Sequence, residues 1–432
     1  MQTVPAWTLV PFIIMLLLIA VVPLISEKYW DSNRHKLYCT LVVAVPTAVY
    51  LVCAGFSTEL WHQIFGDYIP FIILLLSLFT VTGGIRISGD VTATPFVNSI
   101  VLMSGYVLAS FMGTTGAAML LIRPLLEINR QRRYKTHTVL FFIAMVANAG
   151  GILSPLGDPP LFLLYLRGAP FTWFMKLGPE WLFIGLALLA IFFVYDSIMF
   201  RREPLENMLA DITEYSPIRI SGKRNFIFLG LILLSVIFLN PHYIPAMNDD
   251  GSFFLTRYLR EIALAAVIVL SLRLTPGQVR KENCFTWRPM IEVGVLFAGI
   301  FVTMTPALLF LKAHASDLGL TEPWQFYYST GLLSSFLDNS PTAVAFHSVA
   351  TGLYPEIQPG FIAGIPEPML KAISMGAVFF GSLTYIGNGP NFMVKAIAEQ
   401  NGVKMPGFFG YMLKFSLVIL LPVFVMVQLI FL

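Results

Sequence analysis

Two aspartates lie within hydrophobic stretches of the sequence, where ionisable side chains are rare. Asp158 lies in "NAGGILSPLGDPPLFLLYL", which begins at Asn148, and Asp338 lies in "FLDNSPTAVAF", which begins at Phe336. A charged aspartate near the centre of a membrane helix costs about 2.5–3.5 kcal/mol on insertion scales, so such acids usually have a function. A carboxylate can hold a sodium ion or a proton, and one can replace the other. The pair predicts sodium binding linked to proton exchange; the alternative is that each acid only caps a helix.

Both acids belong to segments in which an apolar helix is interrupted. Four such segments are present: "GTTGAAMLL", "GDPPLFLL", "NSPTAVAF" and "NGPNFMV". Each combines a polar cap residue with a helix start, and three place proline close behind the cap. The predicted caps are Thr114 or Thr115, Asp158, Ser340, and Asn388 or Gly389.

Breaks of this kind constrain the surroundings of the chain. Lipid cannot satisfy the unpaired backbone groups at a break, so breaks occur inside protein or around a polar cavity. Unwound carbonyls and hydroxyls suit a hard cation such as sodium, whereas helix N-termini favour anions. The four breaks therefore predict two related half-sites, and by themselves they leave the charge of the transported species open.

The composition indicates what positions these segments. The chain has 432 residues, of which 57% are hydrophobic and only 12% charged. These values predict an all-α polytopic membrane protein. The sequence contains no Walker-type loop, metal-ligand cluster or nucleophile elbow, and its three cysteines suggest no disulfide framework. We expect no enzyme activity, no nucleic-acid partner and no cofactor other than a transported or coupling sodium ion.

Apolar runs near twenty residues predict about ten crossings and two re-entrant hairpins. The crossings are 7–26, 36–56, 68–86, 137–166, 180–200, 224–240, 258–273, 290–311, 369–397 and 408–431. The hairpins are 92–126 and 324–350. With both stretches re-entrant, nearly all loop lysines and arginines fall on one side, and the positive-inside rule then places both termini outside. We expect the inner membrane of a bacterium.

The chain also repeats itself. "FMGTTGAAML" from Phe111 matches "FLDNSPTAVA" from Phe336, and "GILSPLGDPPLFLL" from Gly151 matches "GSLTYIGNGPNFMV" from Gly381. A third pair, "IPFIILLLSLF" and "IEVGVLFAGIF", keeps the same order. The predicted units are a first repeat at 1–200, a cytoplasmic linker at 201–223 and a second repeat at 224–432. Each holds five crossings, one hairpin and one broken helix (137–166 or 369–397), and an odd number of crossings inverts the second repeat.

The four interrupted segments resemble the ion transporter superfamily, specifically the NhaD-type sodium:proton antiporters and the related citrate-transporter (CitMHS-like) branch. The resemblance implies a homodimer in which a transport domain moves against a scaffold domain like an elevator. It implies a first cation half-site of Thr114, Thr115, Asn148, Ser154 and Asp158. It implies a second half-site of Asp338, Asn339, Ser340, Thr384, Asn388 and Asn391.

The resulting prediction is a secondary active sodium:proton antiporter with elevator-type alternating access, surrounded by membrane lipid. A sodium-coupled citrate or dicarboxylate transporter, or a carrier of another small anion, is the alternative. Such carriers have Ser-Asn-Thr in their hairpins, where this chain has Gly-Thr-Thr and Asp-Asn-Ser. Arsenite efflux has less support, as does an intramembrane enzyme that uses Asp158 and Asp338 as an acid pair.

Overall fold

The computed structural model describes residues 4–30, 32–213, 216–247 and 254–432, which are mostly helical. Within those ranges eight helical segments are long and apolar enough to cross a membrane. They are Ala6–Pro23, Asn33–Cys53, Ser57–Thr82, Pro95–Met112, Thr136–Leu153, Phe171–Phe200, Arg288–Ala313 and Phe408–Phe431. The shorter apolar helix Arg224–Phe238 lies among them in the chain. The protein is therefore a multi-pass helical membrane protein.

The α-helices are numbered in chain order. Those before the linker are α1 (Leu9–Ile25), α2 (Glu27–Trp30), α3 (Asn33–Cys53), α4 (Ser57–Trp61), α5 (Ile69–Thr82), α6 (Pro95–Met112), α7 (Thr114–Ile128), α8 (Thr136–Met145), α9 (Pro159–Leu166), α10 (Phe171–Phe174) and α11 (Gly178–Phe200). The remainder are α12 (Leu205–Thr213), α13 (Arg224–Phe238), α14 (Phe254–Arg257), α15 (Leu259–Leu274), α16 (Gly277–Glu282), α17 (Arg288–Ala313), α18 (Pro323–Phe336), α19 (Asn339–Leu353), α20 (Glu367–Phe380), α21 (Gly389–Gln400), α22 (Phe408–Tyr411) and α23 (Leu421–Phe431). Two π-helical segments, His62–Tyr68 and Met412–Leu420, continue α4 into α5 and α22 into α23.

Two short antiparallel sheets complete the fold. Strand β1 (Arg86–Asp90) pairs with β2 (Ser216–Ser221), which lies in the predicted linker. Strands β3 (Phe361–Ile362) and β4 (Ile365–Pro366) form a small hairpin between α19 and α20. The β1–β2 pair joins the chain that leaves α5 to the chain that enters α13, so the linker is folded against the body of the protein.

The helices pack in two groups. In the first bundle, α17 packs on α1 and α3, and α15 packs on α5 and α13. In the second bundle, α11 packs on α6, α8 and α23, while α18 packs on α20 and α21 packs on α7. The bundles meet where α17 contacts α19 and where α5 contacts α7. The second bundle also includes α9 and α19, which pack on each other and on α20, and it therefore contains all four interrupted segments.

Both predicted hairpins fold back on themselves. Gly113 separates α6 from α7 with a φ of 82°, a value that glycine adopts easily. A Cβ added to Gly105 would lie 2.9 Å from Leu121 Cδ1, and these two residues are equally distant in sequence from Gly113. In the second hairpin, the rings of Phe326 and Phe346 are 6.4 Å apart across the break between α18 and α19. Re-entry of these hairpins into the bilayer stays a prediction.

The two predicted broken helices are both interrupted, and glycine allows the chain to pass close to itself at each break. A Cβ on Gly157 would lie 2.0 Å from the carbonyl oxygen of Gly151. A Cβ on Gly387 would lie 2.6 Å from the carbonyl oxygen of Gly381. These contacts occur at matching positions of "GILSPLGDPP" and "GSLTYIGNGP", so the two breaks have the same local geometry.

Two of the predicted helix caps are wrong. Helix α7 begins at Thr114, and Gly113 directly before it holds the cap position, so neither Thr114 nor Thr115 is the cap. Helix α19 is capped by Asp338, whose Oδ1 accepts from the Ser340 backbone N at 3.0 Å, so Ser340 is not the cap. The reason is that Pro341 fits within the first helical turn, where its missing N–H is not needed, and the helix therefore starts earlier.

Asp158 and Asn388 do occupy the cap positions of α9 and α21, as predicted. Neither side chain accepts a hydrogen bond from its own helix backbone, however. Both residues have the extended backbone that is usual at a cap position, yet their side-chain oxygens are not used by the helices that follow. They are therefore available for contacts with other segments.

Candidate functional site

The carboxylate of Asp158 lies where four helices begin. Its Oδ1 accepts hydrogen bonds from Thr114 Oγ1 at 2.8 Å and from Asn388 Nδ2 at 3.3 Å. Its Oδ2 accepts from Asn339 Nδ2 at 2.6 Å. Asp158 is 1% exposed. Thr114 and Asn339 are the first residues of α7 and α19, while Asp158 and Asn388 directly precede α9 and α21. One carboxylate thus connects both hairpins and both broken helices.

This convergence sets the electrostatics of the site. The start of a helix carries partial positive charge from its unpaired N–H groups. Four such starts meet at Asp158, and the three side chains that donate to its carboxylate are neutral. The negative charge of Asp158 is therefore balanced by dipoles and hydrogen bonds, without a lysine or arginine bonded to it among the described residues.

An asparagine network holds the two broken helices against each other. Asn388 Nδ2 also reaches the carbonyl oxygen of Ala147 at 3.1 Å and Asn148 Oδ1 at 3.2 Å. Asn148 Nδ2 donates to Asn391 Oδ1 at 2.7 Å. Asn391 Nδ2 donates in turn to the carbonyl oxygens of Gly381 at 2.8 Å and Thr384 at 3.0 Å. These three asparagines satisfy backbone carbonyls freed by the breaks, which lipid could not do.

The predicted residues Ser154 and Thr384 join each broken helix to the hairpin of the same half. Ser154 Oγ donates to the carbonyl oxygen of Ser110, and Thr384 Oγ1 donates to that of Ser335 at 2.5 Å. Ser154 matches Thr384, and Ser110 matches Ser335, when the repeats are aligned. Sequence reasoning missed Ser110 and Ser335, although the same alignment pairs them three residues before Gly113 and Asp338.

The second hairpin presents two oxygen atoms without hydrogen-bond partners. Asn339 Oδ1 and Ser340 Oγ are buried and make no hydrogen bond in the described structure. Asn339 uses its Nδ2 for Asp158, so its carbonyl oxygen remains an unused acceptor. Asp338, next in sequence, is half-buried and uses Oδ1 to cap α19. Carbonyl, hydroxyl and carboxylate oxygens are the ligands preferred by hard cations.

A cavity of about 70 Å³ reaches Asp158 from between the two bundles. Its walls come from α5 and α17 of the first bundle and from the starts of α7 and α9 in the second. Thr114, Thr115 and Asp158 form its polar part, whereas Phe71, Phe162 and similar apolar residues form most of the rest. No lysine or arginine is among its lining residues. The predicted site residue Thr115 therefore lies on the cavity beside Asp158.

Two other polar residues of the hairpins, Arg123 and His347, lie in different surroundings. Arg123 Nη1 donates to the carbonyl oxygen of Asn283 at 3.3 Å, in a contact between α7 and the chain after α16. His347 Nε2 lies 2.9 Å from the carbonyl oxygen of Ala363, at the turn between β3 and β4. Among the described residues no group of three or more His, Cys, Asp or Glu side chains forms a metal site.

Comparison with known proteins gives the family. A search of curated proteins found no match. The family model described as "Putative citrate transport" matches residues 1–432, which is the whole chain. The match supports the citrate-transporter branch of the resemblance and a role in transport rather than catalysis. The chain, a multi-pass membrane protein with its interrupted helices gathered around one buried carboxylate, belongs to this family of transporters.

Proposed function

We propose that the protein is a secondary active transporter that exchanges sodium for protons, with Asp158 binding either cation. The observation that carries the proposal is a single buried carboxylate at the junction of four helix starts, beside a cavity without basic lining residues. A site of this kind can lose a proton to gain a cation without leaving an unpaired charge in the membrane.

The oxygen atoms around Asp158 support sodium as the cation. Asp158 Oδ2 accepts one of the hydrogen bonds described and has further lone-pair capacity. Asn339 Oδ1 and Ser340 Oγ, both buried without partners, belong to the same helix start that reaches this carboxylate. We propose these atoms, with Asp338 nearby, as the oxygen ligands of the transported ion.

We further propose that the second bundle moves against the first, and that the halves form an inverted repeat. Three features support this: the fold-back hairpins, the matched glycine contacts at the two breaks, and the matched Ser154 and Thr384 bonds. The cavity between the bundles supplies one access route to Asp158. A homodimer in the bacterial inner membrane, with both termini outside, completes the proposal on the basis of the resemblance and the loop charges.

Everted membrane vesicles containing the protein and a pH-sensitive dye test this function. Respiration acidifies the vesicle lumen, and added sodium should then release protons and restore the dye signal. Lithium should act similarly, and potassium chloride at equal ionic strength is the control. The absence of a sodium response at every pH between about 6 and 9 contradicts the proposal.

The second candidate is sodium-coupled transport of citrate or a related small carboxylate. The family description favours it, and four converging helix starts provide partial positive charge for an anion. Labelled citrate can be offered to right-side-out vesicles with and without a sodium gradient. Uptake that requires the gradient would establish this candidate, and uptake that does not depend on sodium would exclude it.

Thr114→Val tests the hydrogen bond to Asp158 within either function. Valine preserves the shape of threonine but removes the hydroxyl that donates to Asp158 Oδ1 at 2.8 Å. A hydrogen bond to a charged group contributes about 1.5–3 kcal/mol. We therefore expect the sodium concentration for half-maximal response to rise about tenfold or more.

Thr115→Val is the matched control for that experiment. It makes the same chemical change at the next residue, which lines the cavity without appearing among the donors to Asp158. We expect an increase of about threefold or less. Equal effects of the two substitutions would show that the Thr114 bond has no special role.

A further inference from the structure

Helix α12, in the predicted linker, presents an apolar face to its surroundings. Leu205, Leu209 and Ile212 are 71%, 55% and 60% exposed. Their spacing of four and then three residues places them on one side of the helix. Exposed leucine and isoleucine are unremarkable on a membrane-spanning helix, but α12 has only nine residues and is too short to span a bilayer.

The opposite face of α12 is attached to the protein. Asp211 is buried, and its Oδ2 accepts a hydrogen bond from the backbone N of Ala93 at 2.8 Å. Ala93 lies two residues before α6, the first helix of the first hairpin. Asn207 and Met208 line a small cavity beneath the helix together with Arg132. The apolar face therefore points outward because the other face is already bound.

The position of α12 in the chain places it near the end of membrane helices. Helix α11 ends at Phe200, and four residues separate it from α12. Helix α13 begins at Arg224, soon after β2. Arg201 and Arg202, both exposed, stand between α11 and α12. An apolar helix face flanked by basic residues at the end of a membrane span matches the chemistry of an anionic bilayer surface.

We propose that α12 lies in the headgroup region of the surrounding membrane, with Leu205, Leu209 and Ile212 inserted among the lipid chains. Arg201 and Arg202 bind the phosphate groups of anionic lipids. Asp211 connects α12 to Ala93, which lies just before α6. The membrane-bound α12 therefore anchors the start of the first hairpin at the lipid surface. The proposal concerns the surface of the protein and holds whichever ion or anion is transported.

Labelling at single positions tests the insertion of α12. Cys39→Ser, Cys53→Ser and Cys284→Ser remove the native thiols, and Leu209→Cys then carries an environment-sensitive fluorophore. Glu206→Cys in the same background is the control, since Glu206 is exposed on α12 but polar. The proteins are reconstituted in phosphatidylcholine vesicles with or without phosphatidylglycerol. Iodide reports contact with water, and spin-labelled lipid reports contact with acyl chains.

We expect iodide to quench the Leu209 label at least threefold less than the Glu206 label, and spin-labelled lipid to quench it more. Phosphatidylglycerol should increase the difference in quenching between the two labels. The double substitution Arg201→Gln and Arg202→Gln should abolish this effect of phosphatidylglycerol. Equal iodide quenching at both positions overturns the proposal. Energy transfer between labelled copies, without quenching by spin-labelled lipid, overturns it in favour of a contact between two protein molecules. None of these measurements depends on transport.

Discussion

Replacing Asp158 with asparagine is expected to reduce sodium-dependent proton release in everted vesicles to the level of vesicles that lack the protein. Asparagine keeps the size of the side chain but cannot exchange a proton for sodium. It also brings an amide NH₂ into a site where Thr114, Asn339 and Asn388 already donate. The loss should be complete, because no second carboxylate joins that hydrogen-bond network in the described structure.

The control for this experiment is Asp317→Asn. Asp317 is exposed in a short 3₁₀ segment after α17, outside the four interrupted segments. Its substitution should leave the sodium response within about twofold of the unaltered protein. Thermal unfolding in detergent shows whether either variant is folded. A folded Asp158→Asn protein with an undiminished sodium response would remove Asp158 from the transport mechanism.

Gly157→Ala is expected to have the largest effect on stability. The added Cβ would lie 2.0 Å from the Gly151 carbonyl oxygen and 2.7 Å from its carbonyl carbon. These are backbone atoms, so no side-chain rotation relieves the contact and the break itself must move. We expect a loss of about 3 kcal/mol or more, which should lower the apparent melting temperature by about 5 °C or prevent accumulation in the membrane.

Gly389→Ala provides a matched control, because Gly389 lies in the corresponding break of the second half and a Cβ there meets no atom within 4 Å. Its melting temperature should stay within about 2 °C of the unaltered protein. Differential scanning fluorimetry of both proteins in the same detergent measures the difference. If the two alanine variants unfold at the same temperature, the close approach of Gly157 to Gly151 does not limit stability.

The sequence by itself determined where most of the long apolar helices lie and where four of them are interrupted. The predicted crossing at 36–56 corresponds to α3 (Asn33–Cys53), and that at 180–200 corresponds to α11 (Gly178–Phe200). The interruptions near Gly113, Asp158, Asp338 and Asn388 also appear in the structure. These features are local: apolar length and the placement of proline and glycine act within a few residues of the chain.

The identity of each helix cap was less predictable, because neighbouring polar residues compete for the same backbone N–H groups. Asp338 caps α19 in preference to Ser340, and Gly113 precedes α7 without any side-chain cap. A shift of one or two residues in the helix start decides between such candidates.

Only the tertiary structure decided which side chains meet. Asn339 reaches Asp158 across 181 residues of chain, and Asn148 reaches Asn391 across 243. The outward direction of the apolar face of α12 likewise depends on the bond between Asp211 and Ala93, 118 residues apart. The sequence identified Asp158 as a candidate functional residue, because it is an acid within a hydrophobic segment. Its hydrogen-bond partners, however, depend on how four helix starts pack together. That packing is a property of the whole fold, and no single segment contains it.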